Sequence, residues 1–259
     1  MSNSSVLDQI IEGVLADVKE REKPISELIS KLSEAPKLRD ATAALSKSGT
    51  RLIAEVKRSS PSKGVLAEIA NPAELATAYQ GGGADVISVL TERRRFNGSI
   101  SDLVSVRDSI DIPVLRKDFI VTEFQVYESR LIGADLILLI VAGLSDSQLK
   151  DYYQLASELG MAVLVEVHDE IEAAKAVDLN AKIIGVNCRN LKTLEVSSKN
   201  FEKIFPHLPT DAIKVAESGI STRAQVEEVE NLGANAILVG ETLVKATNPA
   251  QMIKELLNR

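Results

Sequence analysis

The chain has no tryptophan, one cysteine and two histidines, and only 3% of it is aromatic. A lone cysteine, Cys188, cannot close an intramolecular disulfide, which fits a reducing, cytoplasmic setting. His168 and His207 stand at no ligand spacing from each other or from Cys188, so no metal site is expected. By position His168 reads as a strand-end residue bonded to backbone, and His207 as a loop residue beside Pro206. The longest apolar run, Leu136 to Ala142, falls far short of the roughly 20 residues a membrane helix needs. Met1 to Ser5 lacks the cationic start and apolar run of a secretory leader. No membrane partner is expected, and a cytoplasmic location is. Lys and Arg number 30 against 37 Asp and Glu, a net charge of −7. That balance argues against nucleic acid as a partner, since sequence-independent binding needs a basic surplus. A Walker loop and a Ser-His-Asp order are also missing.

What is present is ordinary globular chemistry, 45% hydrophobic and 26% charged over 259 residues. Eight short apolar runs read as strands: 52–57, 86–90, 114–117, 136–141, 163–167, 183–187, 213–217 and 237–239. Several are apolar at nearly every position, as in parallel strands buried on both faces. Helix-period stretches alternate with them, at 72–79, 122–132, 146–159, 170–177 and 223–232. Gly83-Ala84, Gly133-Ala134 and Gly233-Ala234 stand where a helix should stop and a strand begin. A βα repeat of this kind fits a closed barrel or an open doubly wound sheet. Eight units without a Gly-rich dinucleotide loop after the first strand favour an α/β (β/α)8 TIM barrel. Residues 1–48 form an N-terminal helical extension. Val6, Leu7, Ile10, Ile11, Val14, Leu15 and Val18 make an amphipathic stripe, and Pro24 opens a second short helix. Such helices can plug the barrel floor, mediate self-association or cover its mouth. No linker interrupts residues 1–259, so one domain is expected.

Barrel chemistry sits at the C-terminal strand ends. Strand 1 ends in Glu55-Val56-Lys57, strand 3 in Lys117, strand 5 in Glu166, strand 6 in Asn187-Cys188-Arg189 and strand 7 in Glu217. Side chains alternate between faces, so Glu55, Lys57, Lys117, Glu166, Asn187 and Glu217 share the inward phase. Arg189 joins them if the strand geometry persists, and Cys188 faces outward. Six charges in one cavity cost several kcal/mol per ion unless paired, which points to chemistry rather than architecture. Burial beside other cations lowers a lysine's pKa, and burial among carboxylates raises a glutamate's, separating acid from base. Ser218-Gly219 and Gly240-Glu241 place backbone N–H groups after strands 7 and 8, the usual phosphate position in this fold. The implied partner is a small phosphorylated molecule.

These strand ends resemble those of the indole-3-glycerol-phosphate synthase family over essentially the whole chain. The specific pieces are 53–64 (Ile53 to Gly64), 115–119 (Leu115 to Phe119) and 185–191 (Gly185 to Leu191), with 87–92 and 216–220 in support. The basic loop 93–97 and Glu241 depart from many members. The resemblance implies a tryptophan-pathway lyase that closes a ring on 1-(2-carboxyphenylamino)-1-deoxyribulose 5-phosphate, then loses CO2 and water. It implies no cofactor and a monomer. Lys117 would be the general acid and Glu166 the general base. Lys57 would hold anionic parts of the substrate, Glu55 would position a lysine, and Glu217 would close the network. Asn187 and Arg189 would orient the substrate chain, with Ser60, Pro61, Phe119 and Ser218 around it and Gly219, Gly240 and Glu241 at the phosphate. A sugar-phosphate isomerase barrel would not need both lysines and three glutamates. A non-catalytic binding barrel would have lost a proton-transfer group.

Overall fold

The computed structural model describes residues 5–189 and 195–259. Its eight parallel strands close into a barrel in chain order. They are β1 (Arg51–Val56), β2 (Val86–Leu90), β3 (Val114–Lys117), β4 (Leu136–Ile140), β5 (Ala162–Val167), β6 (Ile183–Asn187), β7 (Ile213–Glu217) and β8 (Ala236–Val239). The seam joins β1 to β8, with Arg51 opposite Ala236. Closure excludes the open sheet and establishes the expected TIM barrel, with every expected strand end within one residue of its place. Asn190 and Leu191, the tail of the strand-6 motif, lie outside the described residues.

The helices are α1 (Val6–Arg21), α2 (Ile25–Lys31), α3 (Ala41–Leu45), α4 (Pro72–Gly82), α5 (Ile100–Ser109), α6 (Glu123–Leu131), α7 (Asp146–Glu158), α8 (Glu170–Asp178), α9 (Lys199–Ile204), α10 (Arg223–Asn231), α11 (Glu241–Val244) and α12 (Pro249–Leu257). Most starts are set by a side chain. Ser5, Thr122, Ser145 and Thr222 each form a reciprocal capping box with the residue three positions on, satisfying N–H groups that the first turn leaves unpaired. The Gly-Ala stops adopt positive φ, 103° at Gly83, 85° at Gly133 and 95° at Gly233.

Alternation splits the strands into two cores. Outward residues such as Leu52, Ala54, Val165 and Ile184 pack beneath the helices. Inward residues such as Ile53, Leu115, Leu164 and Val215 fill the barrel. The residue after each Gly-Ala step stitches the barrel floor. Asp85 accepts from Leu52 N–H at 3.0 Å, Asp135 from Val114 N–H at 2.8 Å, and Asn235 from Lys214 N–H at 2.8 Å.

The extension reaches both ends of the barrel. Val6, Leu7 and Ile10 of α1 line the cavity at the mouth. Helix α2 lies along α6, and α3 buries Ala41, Ala44 and Leu45 against the inner core where β1 begins. Mouth cover and floor plug are therefore both correct, carried by different helices of one segment.

Candidate active site

Strand phase delivers the charged residues to one place. A cavity of about 770 Å3 opens at the C-terminal strand ends. Glu55, Lys57, Lys117, Glu166, Asn187, Arg189 and Glu217 all line it, as do Ser60, Pro61, Phe119, Ser218, Gly219, Gly240 and Glu241. Every candidate site residue named from the sequence thus lines this space.

At its base the charges are paired. Lys117 Nζ lies 3.1 Å from Glu166 Oε2 and 3.6 Å from Glu217 Oε2. Lys57 Nζ lies 2.6 Å from Glu55 Oε1. Two glycines make the room. A Cβ on Gly185 would collide with Glu217 Oε1, and one on Gly240 would sit 2.5 Å from Glu55 Oε1.

The protonation pattern corrects one expectation and supports another. Burial works against a charged Lys117, but the carboxylates of Glu166, Glu217 and Glu55 outweigh it, so its pKa is raised rather than lowered. Glu217 is pushed up to about 8 by burial and by the neighbouring Glu166. Burial also disfavours the Glu166 anion, yet Lys117 and His168 overcome it and hold this carboxyl below the usual range. The acid–base asymmetry is therefore an anionic Glu166 beside a protonated Glu217 and an ammonium.

His168 is a second correction. Its ring does not bond to backbone. Nε2 lies 3.2 Å from Glu166 Oε1 and Nδ1 lies 3.0 Å from Glu172 Oε2. Cys188, by contrast, is buried in the outer core as expected, and burial pushes its thiol up to about 12.

Above the charges the walls divide by polarity. Val6, Leu7, Ile10, Phe96, Phe119, Leu138 and Ile140 form an apolar side. Opposite stand the turns after β7 and β8. Ser218 and Gly219 both take positive φ, 71° and 77°, which turns the chain sharply. Ser218 Oγ donates to Asn187 Oδ1 at 2.8 Å. Arg189, beyond the end of β6, reaches across the mouth to Ser62 Oγ at 3.1 Å.

Sequence reasoning missed Lys63 and Lys245. Both line the cavity, and each binds Glu241 Oε1 at 2.8 Å. The side chain of Glu241 is thus occupied with lysines, which leaves its backbone N–H as the group suited to an anion. The α1 residues were visible only as part of an amphipathic stripe. The basic loop explains their position: Arg93 and Arg94 both pair with Asp17 of α1, at 2.7 and 2.8 Å. Glu92 shapes that loop by accepting from the N–H groups of Arg94, Arg95 and Phe96.

Comparison with known proteins is consistent across the chain. The family model described as indole-3-glycerol phosphate synthase matches residues 7–256. Indole-3-glycerol phosphate synthase 1 of Streptomyces coelicolor is 53% identical over 98% of this chain and 95% of its own length. The Rhodococcus opacus indole-3-glycerol phosphate synthase is 53% identical with the same coverage. Among solved structures, a 3-hexulose-6-phosphate synthase aligns with a TM-score of 0.60 at 18% identity, covering 81% of this chain and 99% of that one. An N-acetylmannosamine-6-phosphate 2-epimerase from Clostridium perfringens gives 0.60 at 16% identity, covering 80% and 92%. These last two share the fold.

Proposed function

The chain belongs to the indole-3-glycerol phosphate synthase family, and from that premise we propose that it converts 1-(2-carboxyphenylamino)-1-deoxyribulose 5-phosphate to indole-3-glycerol phosphate by Lys/Glu acid–base catalysis. The observation that carries this reading is the Lys117–Glu166 pair, 3.1 Å apart at the base of the cavity. Around that pair the cavity has an apolar side suited to an aromatic ring and an amide-rich side suited to a phosphate.

In the first step the carboxylate-bearing ring carbon attacks the ketone carbon. A C–C bond forms, and the Lys117 ammonium passes a proton to the ketone oxygen as it gains negative charge. Loss of CO2 breaks the bond to the carboxylate and returns its electron pair to the ring. The new hydroxyl then leaves as water, taking a proton from the Lys117 ammonium once solvent has restored it, while Glu166 removes one from the neighbouring methylene to complete the indole. The aniline supplies the electron density, so these residues need only move protons and hold geometry.

The remaining roles follow from position. Lys57, fixed by Glu55, faces the substrate carboxylate and hydroxyls. Asn187 and Arg189 orient the sugar chain, and Glu217 stores a proton next to Glu166. Ser60 and Pro61 form the loop side of the mouth, and Phe119 packs on the ring. Ser218, Gly219, Gly240 and the Glu241 N–H receive the phosphate, helped by the local positive field of Lys63 and Lys245.

The test is direct because the chain has no tryptophan and gives little indole background. Adding the substrate should produce indole fluorescence at a rate proportional to protein. Tight binding with no such signal would mean a phosphometabolite sensor and would overturn the proposal. Lys117→Met should lower turnover by about 10²–10⁴, the range for a positioned acid, with an unchanged circular dichroism spectrum.

A further inference from the structure

His168 does not line the cavity, yet it touches the side chain that does the proton work. It follows β5 directly, and its ring, 11% exposed, is wedged between two carboxylates. Glu166 has two oxygens and the structure uses them separately: Oε2 faces Lys117 and Oε1 faces His168. Behind the ring, Glu172 of α8 binds both Nδ1 at 3.0 Å and the His168 backbone N–H at 2.8 Å. Glu172 is itself fixed, because its backbone N–H is capped by Asp169 at 2.8 Å.

We propose that His168 is a positioning residue for Glu166: a permanently cationic imidazolium, braced by Glu172, that keeps Glu166 ionised and aimed at the substrate. This rests on the reading of Glu166 as the base. A neutral imidazole has one N–H and one lone pair. Facing a carboxylate at each nitrogen, it would have to point a lone pair at one of them. Only the doubly protonated ring turns a positive N–H side to each carboxylate: Nδ1 bonds Glu172, and Nε2 meets Glu166 Oε1 at 3.2 Å as a charge contact without hydrogen-bond alignment. Burial opposes that charge, but the two carboxylates win and push the ring up to about 10. Among the described residues, the titratable groups facing the ring are Glu166 at the end of β5 and Glu172 on α8. Helix α9 contributes the neutral Asn200, whose amide donates to the His168 carbonyl at 3.5 Å.

The sign of the effect is fixed. Removing a cation beside a carboxylate raises the carboxylate's pKa, so a variant without the imidazolium should lose its base at a higher pH.

The experiment has two parts. First, 15N NMR of the unliganded protein should show only two imidazoles, because the chain has two histidines. His168→Gln assigns them, and the exposed His207 serves as an internal reference. Both His168 nitrogens should stay protonated up to about pH 8.5. A His168 ring that is neutral at pH 7.5 overturns the proposal, whatever the activity. Second, the acidic limb of the kcat/KM–pH profile should move up by about one unit in His168→Gln, with kcat down roughly tenfold and KM within threefold. His168→Arg, which keeps a cation there, should return the limb toward the parent. A limb that stays in place in His168→Gln reduces His168 to packing and overturns the proposal. If Glu166→Gln turns over at the parent rate, the assignment of the base fails instead, and the NMR result stands independently. Glu172→Gln, a milder change, should move the limb in the same direction by less, and an unmoved limb there removes Glu172 as the brace.

Discussion

Gly185 shows what a single residue contributes to this cavity. It occupies β6 opposite Glu166 of β5 and Val215 of β7, and Glu217 Oε1 fills the space that a Cβ would take. Gly185→Ala must therefore displace a buried carboxylate or bend a strand held on both sides. It should cost about 1–3 kcal/mol, as overpacking does. Activity should fall further than stability, because Glu217 moves away from Lys117. Thermal melting and kcat on the same sample test this, and parent-like values for both would show that the carboxylate swings aside freely.

At this scale the charged residues were legible, since period-two alternation fixes which of Glu55, Lys57, Lys117, Glu166 and Glu217 face inward. The glycines were not, because what excludes a side chain at Gly185 is a neighbouring strand's glutamate. His168 was misread because its partners lie two residues back and four residues ahead, across a strand-to-helix turn. The lysine pKa was misread because its direction depends on how many carboxylates converge, and three do.

Elements are held by longer chains of contacts. Arg116, fully buried on β3 beside Lys117, ties that strand outward. Its guanidinium meets Glu128 of α6 at 2.9 Å and Asp118 at 3.2 Å. Glu128 is in turn gripped by Arg21 at the end of α1, at 2.9 and 3.1 Å. One carboxylate therefore joins the extension, a barrel helix and the strand that carries Lys117. Glu128→Gln should destabilise by about 3 kcal/mol, the low end for removing one partner of a buried ion pair, since Asp118 still serves Arg116. Arg21→Ala should cost only about 1 kcal/mol, because that side chain is partly solvated. Denaturant midpoints read both, and equal losses would contradict the ranking.

Several elements escaped the sequence reading for physical reasons. Helix α5 was not singled out because its inner face carries Arg107, whose buried guanidinium is met by Asp135 and by the Lys37 carbonyl, each at 2.6 Å. The hairpin pairing Ser59–Ser60 with Gly64–Val65 is too short to show a period. The Gly-Ala steps read correctly as helix stops. Their third residue, the floor clasp at Asp85, Asp135 and Asn235, could be recognised only once neighbouring strand starts were in place.

Over the whole molecule, the buried titrating groups set a direction for stability against pH. His168 rises from 6.5 to about 10 and Glu217 from 4.5 to about 8. A group whose pKa is raised on folding stabilises fully below its unfolded value, and that contribution is lost as pH climbs through the folded value. Glu217 therefore withdraws support between about pH 4.5 and 8, and His168 between about 6.5 and 10. Glu166 acts in the opposite sense, its contribution being lost as acid protonates it. The melting temperature should peak in the mildly acidic range and decline steadily toward pH 10. Glu217→Gln should flatten the portion below pH 8. A midpoint still rising above pH 8 would contradict this ordering of charges.

The seam between β1 and β8 has a further consequence, for synthesis. Arg51 waits for Ala236, so a chain emerging from the ribosome exposes two open edges until residue 236 and the rest of β8 have been made. Unpaired edges invite pairing with other nascent chains, and distant pairings form slowly. Release short of residue 236 should leave a sticky crescent instead of a smaller enzyme, so the cell's quality control, more than residual activity, would decide the fate of a prematurely terminated product.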